Sequence, residues 1–218
     1  MADKLTGTFV TLEGIDGSGK TSVLRQIVAY LAAHLSVDQY VITREPGGNS
    51  ISEAIRQVIL DPRNTGMDAR TEALLYAASR RQYLVETVLP ALRAGKLVIS
   101  DRYVDSSLVY QGSGRHLGID PVRQINAFAT DGLMPQLTLY FDIEPAEGLA
   151  RINSHRAGEK VDRLDQERLQ FYQDTRNAYL KLAAQEPDRI ITLDASQPLA
   201  TVTEQALTVM RARLKELQ

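Results

Sequence analysis

One glycine-rich segment organises the rest of the sequence: Gly14-Ile15-Asp16-Gly17-Ser18-Gly19-Lys20-Thr21. It fits a phosphate-binding loop (P-loop), which has a glycine, four residues of any kind and then Gly-Lys-Thr. The glycines let successive backbone N–H groups turn towards one anion, because no Cβ stands in the way. We expect Lys20 to reach the β- and γ-phosphates of a nucleoside triphosphate and the Thr21 hydroxyl to ligate Mg²⁺.

The residues on both sides of the loop supply the strand and the helix that this motif needs. Thr8–Glu13, directly before the loop, is short, apolar and rich in β-branched residues. After the loop, apolar residues recur at helical spacing: Val23, Leu24, Ile27, Val28, Leu31 and Leu35. The N-terminus of this helix favours bound anions. The alternative is a chance glycine-rich turn, which arises in about one chain in a hundred of this length.

The composition indicates one ordinary domain and excludes several functions. The 218 residues are enough for one core, so we predict a single domain over residues 1–218. A net charge of −2 argues against a nucleic-acid partner. The chain has no cysteine, which excludes disulfides, thiol catalysis and Cys-ligated metals. With no long apolar run and no signal-peptide core at Met1–Gly7, we expect a cytoplasmic protein without a membrane partner.

Four further strand signals alternate with helical patterns along the chain. They are Tyr40–Thr43, Leu97–Ser100, Leu137–Phe141 and Arg189–Leu193. Most are almost continuously apolar, which is typical of parallel strands that are covered on both faces. The sequence therefore predicts an α/β fold: a five-stranded parallel sheet flanked by helices, with right-handed crossovers. Ligands of such sheets bind at the carboxyl ends of the strands.

The segment after the second strand is Arg44-Glu45-Pro46-Gly47-Gly48. Taken alone, it is more typical of a strand-ending turn with an exposed ion pair than of a binding site. Asn49 or Ser50 is expected to cap the next helix, which carries Arg56.

The longest helical pattern runs from about Asp68 to Ala94. Tyr76 and Arg80 lie one turn apart on it, so an aromatic ring and a guanidinium could stack on a base and bind its edge. The commoner alternative is a surface aromatic–cation pair. We predict a buried apolar stripe on another face: Leu74, Ala77, Ala78, Leu84, Val85, Val88, Leu89 and Leu92.

The third strand runs into Asp101-Arg102-Tyr103. An acidic residue at this place typically holds Mg²⁺ in P-loop enzymes, directly or through water, and Asp142 is a weaker rival for that role. The donors of Arg102 suit phosphate oxygens. A surface Asp–Arg pair is the alternative.

The residues that follow predict a second substrate site. Asp105 is expected to be a helix N-cap. Ser107, Tyr110 and Gln111 then fall on one helix face, where they could recognise a second substrate; a solvated helix surface is the competing interpretation.

A polar, basic segment at about residues 151–163 is predicted to be a lid. It carries Arg151, Arg156, Lys160 and Arg163. Such a run is usually a solvated loop. However, phosphoryl transfer needs cations around the transferred group, and the P-loop contains no arginine.

Taken together, these motifs resemble the bacterial thymidylate kinases, and the resemblance covers nearly the whole chain. Besides the P-loop, it rests on Arg44–Gly48, Thr71-Glu72-Ala73, Ala78–Arg81, Asp101–Tyr103, Tyr110-Gln111-Gly112, Pro135–Tyr140, Arg163–Glu167 and Gln197-Pro198-Leu199. This sequence departs from the family in having Tyr76 where phenylalanine is common, and its lid is slightly longer.

The resemblance implies transfer of the γ-phosphoryl group of ATP to dTMP, with Mg²⁺, by a homodimer. ATP would bind to the whole of Gly14–Thr21. Catalytic roles are implied for Asp16, Lys20, Arg102 and the lid residue Arg156. The implied dTMP site consists of Arg44, Glu45, Arg56, Tyr76, Arg80, Arg102, Ser107, Tyr110 and Gln111. The metal ligands predicted above from the residues themselves are Thr21 and Asp101. The rivals are a kinase for another nucleotide or nucleoside and a nucleotide-dependent switch.

Overall fold

The computed structural model describes residues 5–155, 163, 167 and 169–216. Its strands are β1 (Thr8–Glu13), β2 (Tyr40–Arg44), β3 (Leu97–Asp101), β4 (Leu137–Asp142) and β5 (Ile190–Asp194). Its first helices are α1 (Lys20–His34), α2 (Ser50–Leu60), α3 (Ala69–Tyr83), α4 (Leu89–Arg93) and α5 (Val104–Ser107). The later ones are α6 (Ile119–Thr130), α7 (Pro145–His155), α8 (Leu169–Gln185) and α9 (Leu199–Glu216). Each strand lies within one residue of its predicted bounds.

The strands form one parallel sheet in the order β2-β3-β1-β4-β5. The register aligns Leu12 of β1 and Arg44 of β2 with Asp101 of β3. The carboxyl ends of three neighbouring strands therefore meet at one edge of the sheet. The segments that follow these strands, including the P-loop, are the ones whose side chains form the candidate site.

Two short π-helical segments interrupt the helical layers. Leu84–Val88 joins α3 to α4, and Leu108–Gly114 continues α5. The second segment carries Tyr110 and Gln111, both of which are buried. Single π-helical turns often occur at functional sites, because the wider turn re-aims the side chains that it carries.

The predicted apolar stripe on the long helix is partly wrong. Leu74 and Val85 are 55% and 45% exposed, and Ala78 is exposed as well. The buried face of α3 instead contains Tyr76, Arg80 and Tyr83. Polar side chains occupy this face because they pair with groups on neighbouring elements, which helical periodicity does not show.

Asp105 is also not the N-cap that was predicted. It lies inside α5, is buried, and accepts hydrogen bonds from Arg189 at 2.7 and 3.0 Å. Arg189 also donates to Thr138 Oγ1 at 2.9 Å, and Thr138 shares a hydrogen bond of 2.8 Å with Thr11. This polar network ties α5 to the middle of the sheet.

Most of the predicted lid lies outside the described residues, and Arg156 and Lys160 lie there too. Arg151 belongs to α7, and Arg163 is buried. In the described part of the chain, no helix is both long enough and apolar enough to cross a membrane.

We predict that Arg189→Met lowers the free energy of unfolding by about 3–5 kcal/mol, because it leaves the buried Asp105 carboxylate without its cation. Urea unfolding followed by circular dichroism measures this loss. The control is Arg63→Met, which breaks the exposed pair between Arg63 and Asp61 and should leave the unfolding midpoint unchanged. Equal midpoints for the two variants would contradict the prediction.

Candidate active site

The P-loop backbone closes tightly at the carboxyl end of β1. Gly14 and Gly17 adopt φ of 147° and 77°, in the region that favours glycine. A Cβ on Gly17 would lie 2.1 Å from the carbonyl oxygen of Gly148 in α7, which is impossibly close. Gly14 and Gly17 are therefore both needed for their backbone conformation. Gly17 is also needed because α7 packs directly against the loop at this position.

Lys20 is buried at the start of α1, with its ammonium group inside the loop. Its Nζ donates to the carbonyl oxygens of Gly14 and Ile15, both at 2.9 Å, and to Ser18 Oγ at 3.3 Å. Burial lowers the pKa of Lys20 to about 8, and the positive charge of Arg102 adds to that effect. A bound polyphosphate would favour the charged form, so this cation suits an anionic ligand.

Arg102 connects the P-loop with the segment after β3. Its backbone has φ of 73°, and its N–H donates to the carbonyl oxygen of Leu12 at 3.0 Å. Its guanidinium donates to the carbonyl oxygen of Gly14 at 2.8 Å and to Asp16 Oδ1 at 2.6 Å. It also lies over the ring of Tyr110, with 5.1 Å between the guanidinium carbon and the ring centre. The alternative, a surface pair between Asp101 and Arg102, is not the pair in the structure, because Arg102 pairs with Asp16.

Two cavities meet at this guanidinium. The first, which we call the loop cavity, is lined by the P-loop and α1 residues 16–23 and 25, the edge residues Arg44, Glu45, Arg56, Asp101 and Arg102, and Arg151, Ile152, residues 195–199 and Val202 on the far side. The second, which we call the acceptor cavity, is lined by Pro46, Leu60, Tyr76, Arg80, Tyr103, Ser106, Ser107, Tyr110 and Gln111. Both share the walls formed by Asp16, Glu45, Arg56 and Arg102.

Tyr76 and Arg80 are buried in the wall of the acceptor cavity, so the surface-pair interpretation is wrong. They are 8% and 1% exposed. Arg80 donates to Asn126 and to Ser107 Oγ, the latter at 3.1 Å, and it forms an ion pair with Glu45. The aromatic ring and the guanidinium are thus held at one cavity, as base binding requires.

The turn after β2 does not contain the exposed ion pair that its sequence favoured. Glu45 is buried against Arg80, and burial raises its pKa. Arg44 instead pairs with Glu53 at 2.6 Å. Asn49 caps α2 by accepting from Ser52 N at 2.9 Å, and Arg56 donates to the carbonyl oxygen of Pro46 at 3.1 Å. Glu45 of this turn and Arg56 of α2, which bonds the turn at Pro46, both lie at the boundary between the cavities.

Thr21 and Asp101 are the oxygen donors that fit a magnesium ion. Both line the loop cavity, and Asp101 Oδ1 is buried without a hydrogen-bond partner in the described residues. Mg²⁺ typically takes one or two carboxylates and completes its shell with water and phosphate oxygens. This is compatible with the finding that no cluster of three or more potential ligands occurs in the described chain. Asp142 instead bonds Arg176, at 2.8 and 3.0 Å.

Comparison with known proteins identifies the family. The family model described as Thymidylate kinase matches residues 12–206. The thymidylate kinases of Latilactobacillus sakei and Levilactobacillus brevis are 59% and 57% identical to the chain, over 94% and 95% of its length and 95% and 96% of theirs. The chain belongs to the thymidylate kinase family.

A solved relative agrees with this assignment. The crystal structure of thymidylate kinase from Ehrlichia chaffeensis is 29% identical in sequence and superposes with a TM-score of 0.76, covering 94% of this chain and 98% of that one. Members of the thymidylate kinase family are nucleoside-monophosphate kinases, which are phosphotransferases. The predicted fold and enzyme class are therefore confirmed.

Sequence reasoning missed Glu13, which lies between the P-loop and the segment after β3. Glu13 is the last residue of β1 and is fully buried. It accepts hydrogen bonds from Tyr103 N at 2.7 Å, Ser106 Oγ at 2.6 Å and Tyr179 OH at 2.7 Å. These bonds hold the residues that follow Arg102. The sequence shows a glutamate at the end of an apolar strand, but it does not show that this glutamate is buried, which is uncommon for the residue type.

Of the four basic residues of the predicted lid, the structure describes Arg151 and Arg163. Arg151 lines the loop cavity and donates to the carbonyl oxygen of Ala195 at 2.9 Å. Arg163 donates to the carbonyl oxygen of Ile59 at 2.9 Å and to Glu72. Arg163 is thus engaged away from the loop cavity, whereas Arg156 and Lys160 lie outside the described residues.

We predict that Glu13→Gln gains stability relative to wild type as the pH rises from 5 to 8. Burial, with a contribution from Asp105, raises the pKa of Glu13 from 4.5 to about 7. Between these values the folded protein binds more protons than the unfolded chain, so wild type loses stability as the pH rises, and the variant avoids this loss.

Urea unfolding at several pH values measures the difference between variant and wild type. The control is Glu53→Gln, since the pKa of Glu53 is lowered and its effect is constant above pH 5. A difference for Glu13→Gln that does not change between pH 5 and 8 would refute the prediction.

Proposed function

We propose that this chain transfers the γ-phosphoryl group of ATP to dTMP and so produces ADP and dTDP. The observation that supports this proposal is the shared wall between the loop cavity and the acceptor cavity, which contains Asp16, Glu45, Arg56 and Arg102. A nucleoside triphosphate in the P-loop and a monophosphate in the acceptor cavity would meet there with their phosphates facing each other. The family assignment supplies the identity of the two nucleotides.

Each of the two cavities would bind one of the two nucleotides. Residues 14–21 would hold the phosphates of ATP, as in other P-loop enzymes. Tyr76 would stack on the thymine ring, while Arg80, Ser107 and Gln111 bind its edge, and Tyr110 would lie against the sugar. Arg56 and Arg102 would bind the phosphate of dTMP, with Arg44 and Glu45 beside it. Apart from Gly14 and Ile15, these residues line one of the two cavities or both.

Catalysis would depend on how the protein positions the two nucleotides and on the positive charge that it fixes around the transferred phosphoryl group. The acceptor is already a phosphate oxyanion, so no general base is required. Lys20 and Arg102 would be fixed cations beside the transferred group, and fixed charge lowers the barrier because it need not reorganise. Asp16 holds Arg102 in place at 2.6 Å.

A magnesium ion would complete the charge balance, and Thr21 and Asp101 are the residues that would hold it. When bound, Mg²⁺ would neutralise part of the negative charge on the phosphates of the donor. The requirement for Mg²⁺ stays a prediction of the sequence and the site chemistry, as do the cytoplasmic location and the absence of a nucleic-acid partner.

A homodimer is the expected assembly. Exposed apolar side chains lie on neighbouring helices: Ile51 and Val58 on α2, Leu74 on α3, and Phe128, which is 89% exposed, on α6. Apolar exposure of this kind marks surfaces that associate with other proteins. Light scattering of the purified chain tests the assembly, and a monomer mass at micromolar concentration would overturn it.

The test of the function is an assay of ADP formation with dTMP, dUMP, dCMP, dGMP and thymidine as acceptors, with and without MgCl₂. We expect dTMP to give the highest kcat/KM, with dTDP as product and no turnover without the metal. ADP release that does not depend on an acceptor would favour a nucleotide-dependent switch. Preference for another acceptor would favour a different kinase.

We also predict that Arg156→Ala lowers kcat by about 10³-fold or more, with a much smaller change in the affinity for dTMP. An arginine that stabilises the transferred phosphoryl group is worth about 10³–10⁵ in rate. The control is Arg63→Ala, because Arg63 pairs with Asp61 at the surface and lines neither cavity. If Arg156→Ala retains kcat within a few-fold of wild type, another basic residue of the lid has this role.

A further inference from the structure

Glu72 is a buried carboxylate that the proposed mechanism does not use, and it bonds Gln111, a residue of the acceptor-cavity wall. It lies on α3, one turn before Tyr76, and is 1% exposed. Its Oε1 accepts a hydrogen bond from Gln111 Nε2 at 2.8 Å. Its carboxylate also accepts from Arg115 Nε, at 3.2 and 3.3 Å, and from Arg163. Two guanidinium groups and one amide thus converge on a single carboxylate.

These partners keep Glu72 ionised. Burial opposes the charge, but Arg115, Gln111 and Arg163 together lower the pKa of Glu72 below its usual value. An ionised carboxylate accepts hydrogen bonds and cannot donate one. Gln111 can therefore bond Glu72 only through its NH₂ group. The opposite orientation of the amide would set its oxygen against a negative charge.

The fixed orientation determines what Gln111 offers to a ligand. Because Nε2 is turned towards Glu72, the end of the amide that we expect to meet a ligand is the oxygen Oε1, which is an acceptor. Arg80, in the wall of the same cavity, carries only donors. The cavity thus pairs a donor with an acceptor. This pattern complements the imide edge of thymine or uracil, in which a carbonyl oxygen lies beside an N–H group.

The same pattern rejects cytosine, whose edge has the two groups reversed. Its ring nitrogen N3 is an acceptor that would face Gln111 Oε1, and its amino group is a donor that would face Arg80. Two acceptors or two donors in a buried site leave groups unpaired, which discriminates more strongly than a difference in size.

We propose that Glu72 is a positioning residue for base selectivity: it fixes the Gln111 amide so that its oxygen accepts the imide N–H of the acceptor nucleotide. This inference rests on the proposed function and adds to it the group that sets the selectivity. Glu72 itself need not touch the substrate.

The test is Glu72→Gln. A neutral glutamine both donates and accepts, so the Gln111 amide can turn and present either of its groups. We expect the ratio of kcat/KM for dTMP to that for dCMP to fall by about tenfold. One unpaired polar group in a buried site changes the selectivity by about this factor. The loss should appear mainly in KM for dTMP, with KM for ATP unchanged.

The control is Arg115→Gln, which removes one ion pair from Glu72 but keeps its charge, its partner Arg163 and its bond to Gln111. This variant should lose stability and keep the selectivity ratio within about twofold. Should Glu72→Gln fail to fold, the charge-balanced double variant Glu72→Gln/Arg115→Gln is compared with Arg115→Gln alone. The same tenfold fall is then expected.

A purely structural Glu72 would lower activity towards dTMP and dCMP equally. An unchanged ratio in a folded Glu72→Gln variant therefore overturns the inference while the proposed function stands. An equal fall in Arg115→Gln overturns it too. Failure of the wild-type chain to form dTDP from dTMP overturns the proposed function, and this inference with it.

Discussion

The position of one guanidinium controls how the rest of the site is arranged. The left-handed backbone of Arg102 returns the chain to β1, where its N–H bonds Leu12, and its side chain reaches Gly14 and Asp16. The same guanidinium lies over Tyr110 in the other cavity. Two anionic groups can approach each other closely only where positive charge is fixed between them. The wall that both cavities share provides that charge.

Buried carboxylates hold the neighbouring groups in place. Within the described residues, buried acidic side chains around the site are Glu13, Glu45, Glu72 and Asp105. Each would be costly to bury alone, so each is matched by arginines or by several hydrogen bonds. A buried carboxylate that is fully hydrogen-bonded restricts the orientations that its partner side chains can adopt. The donors of Arg80 and the amide of Gln111 are therefore oriented by the protein, which reduces the reorganisation that binding and catalysis require.

The sequence predicted the sheet well and the environment of single side chains less well. The strands are apolar runs separated by helical patterns, and local composition is enough to locate them. It did not show that Leu74 and Val85 face outwards or that Asp105 is paired with Arg189, because those outcomes depend on neighbours far along the chain. Glu13 was missed because strand patterns do not distinguish a buried glutamate from an exposed strand end.

The sequence by itself determined the phosphate-binding loop and the parallel sheet, and it singled out part of the residues that line the two cavities. The loop and the sheet follow from local spacing: glycines where the backbone must turn and β-branched runs where it must extend. Only the tertiary structure decided which charges pair, since Glu45 meets Arg80, and Glu72 meets both Gln111 and Arg163, across long separations in the chain. The physical reason is that an ion pair depends on distance in space and on burial, and neither is written in the order of the residues.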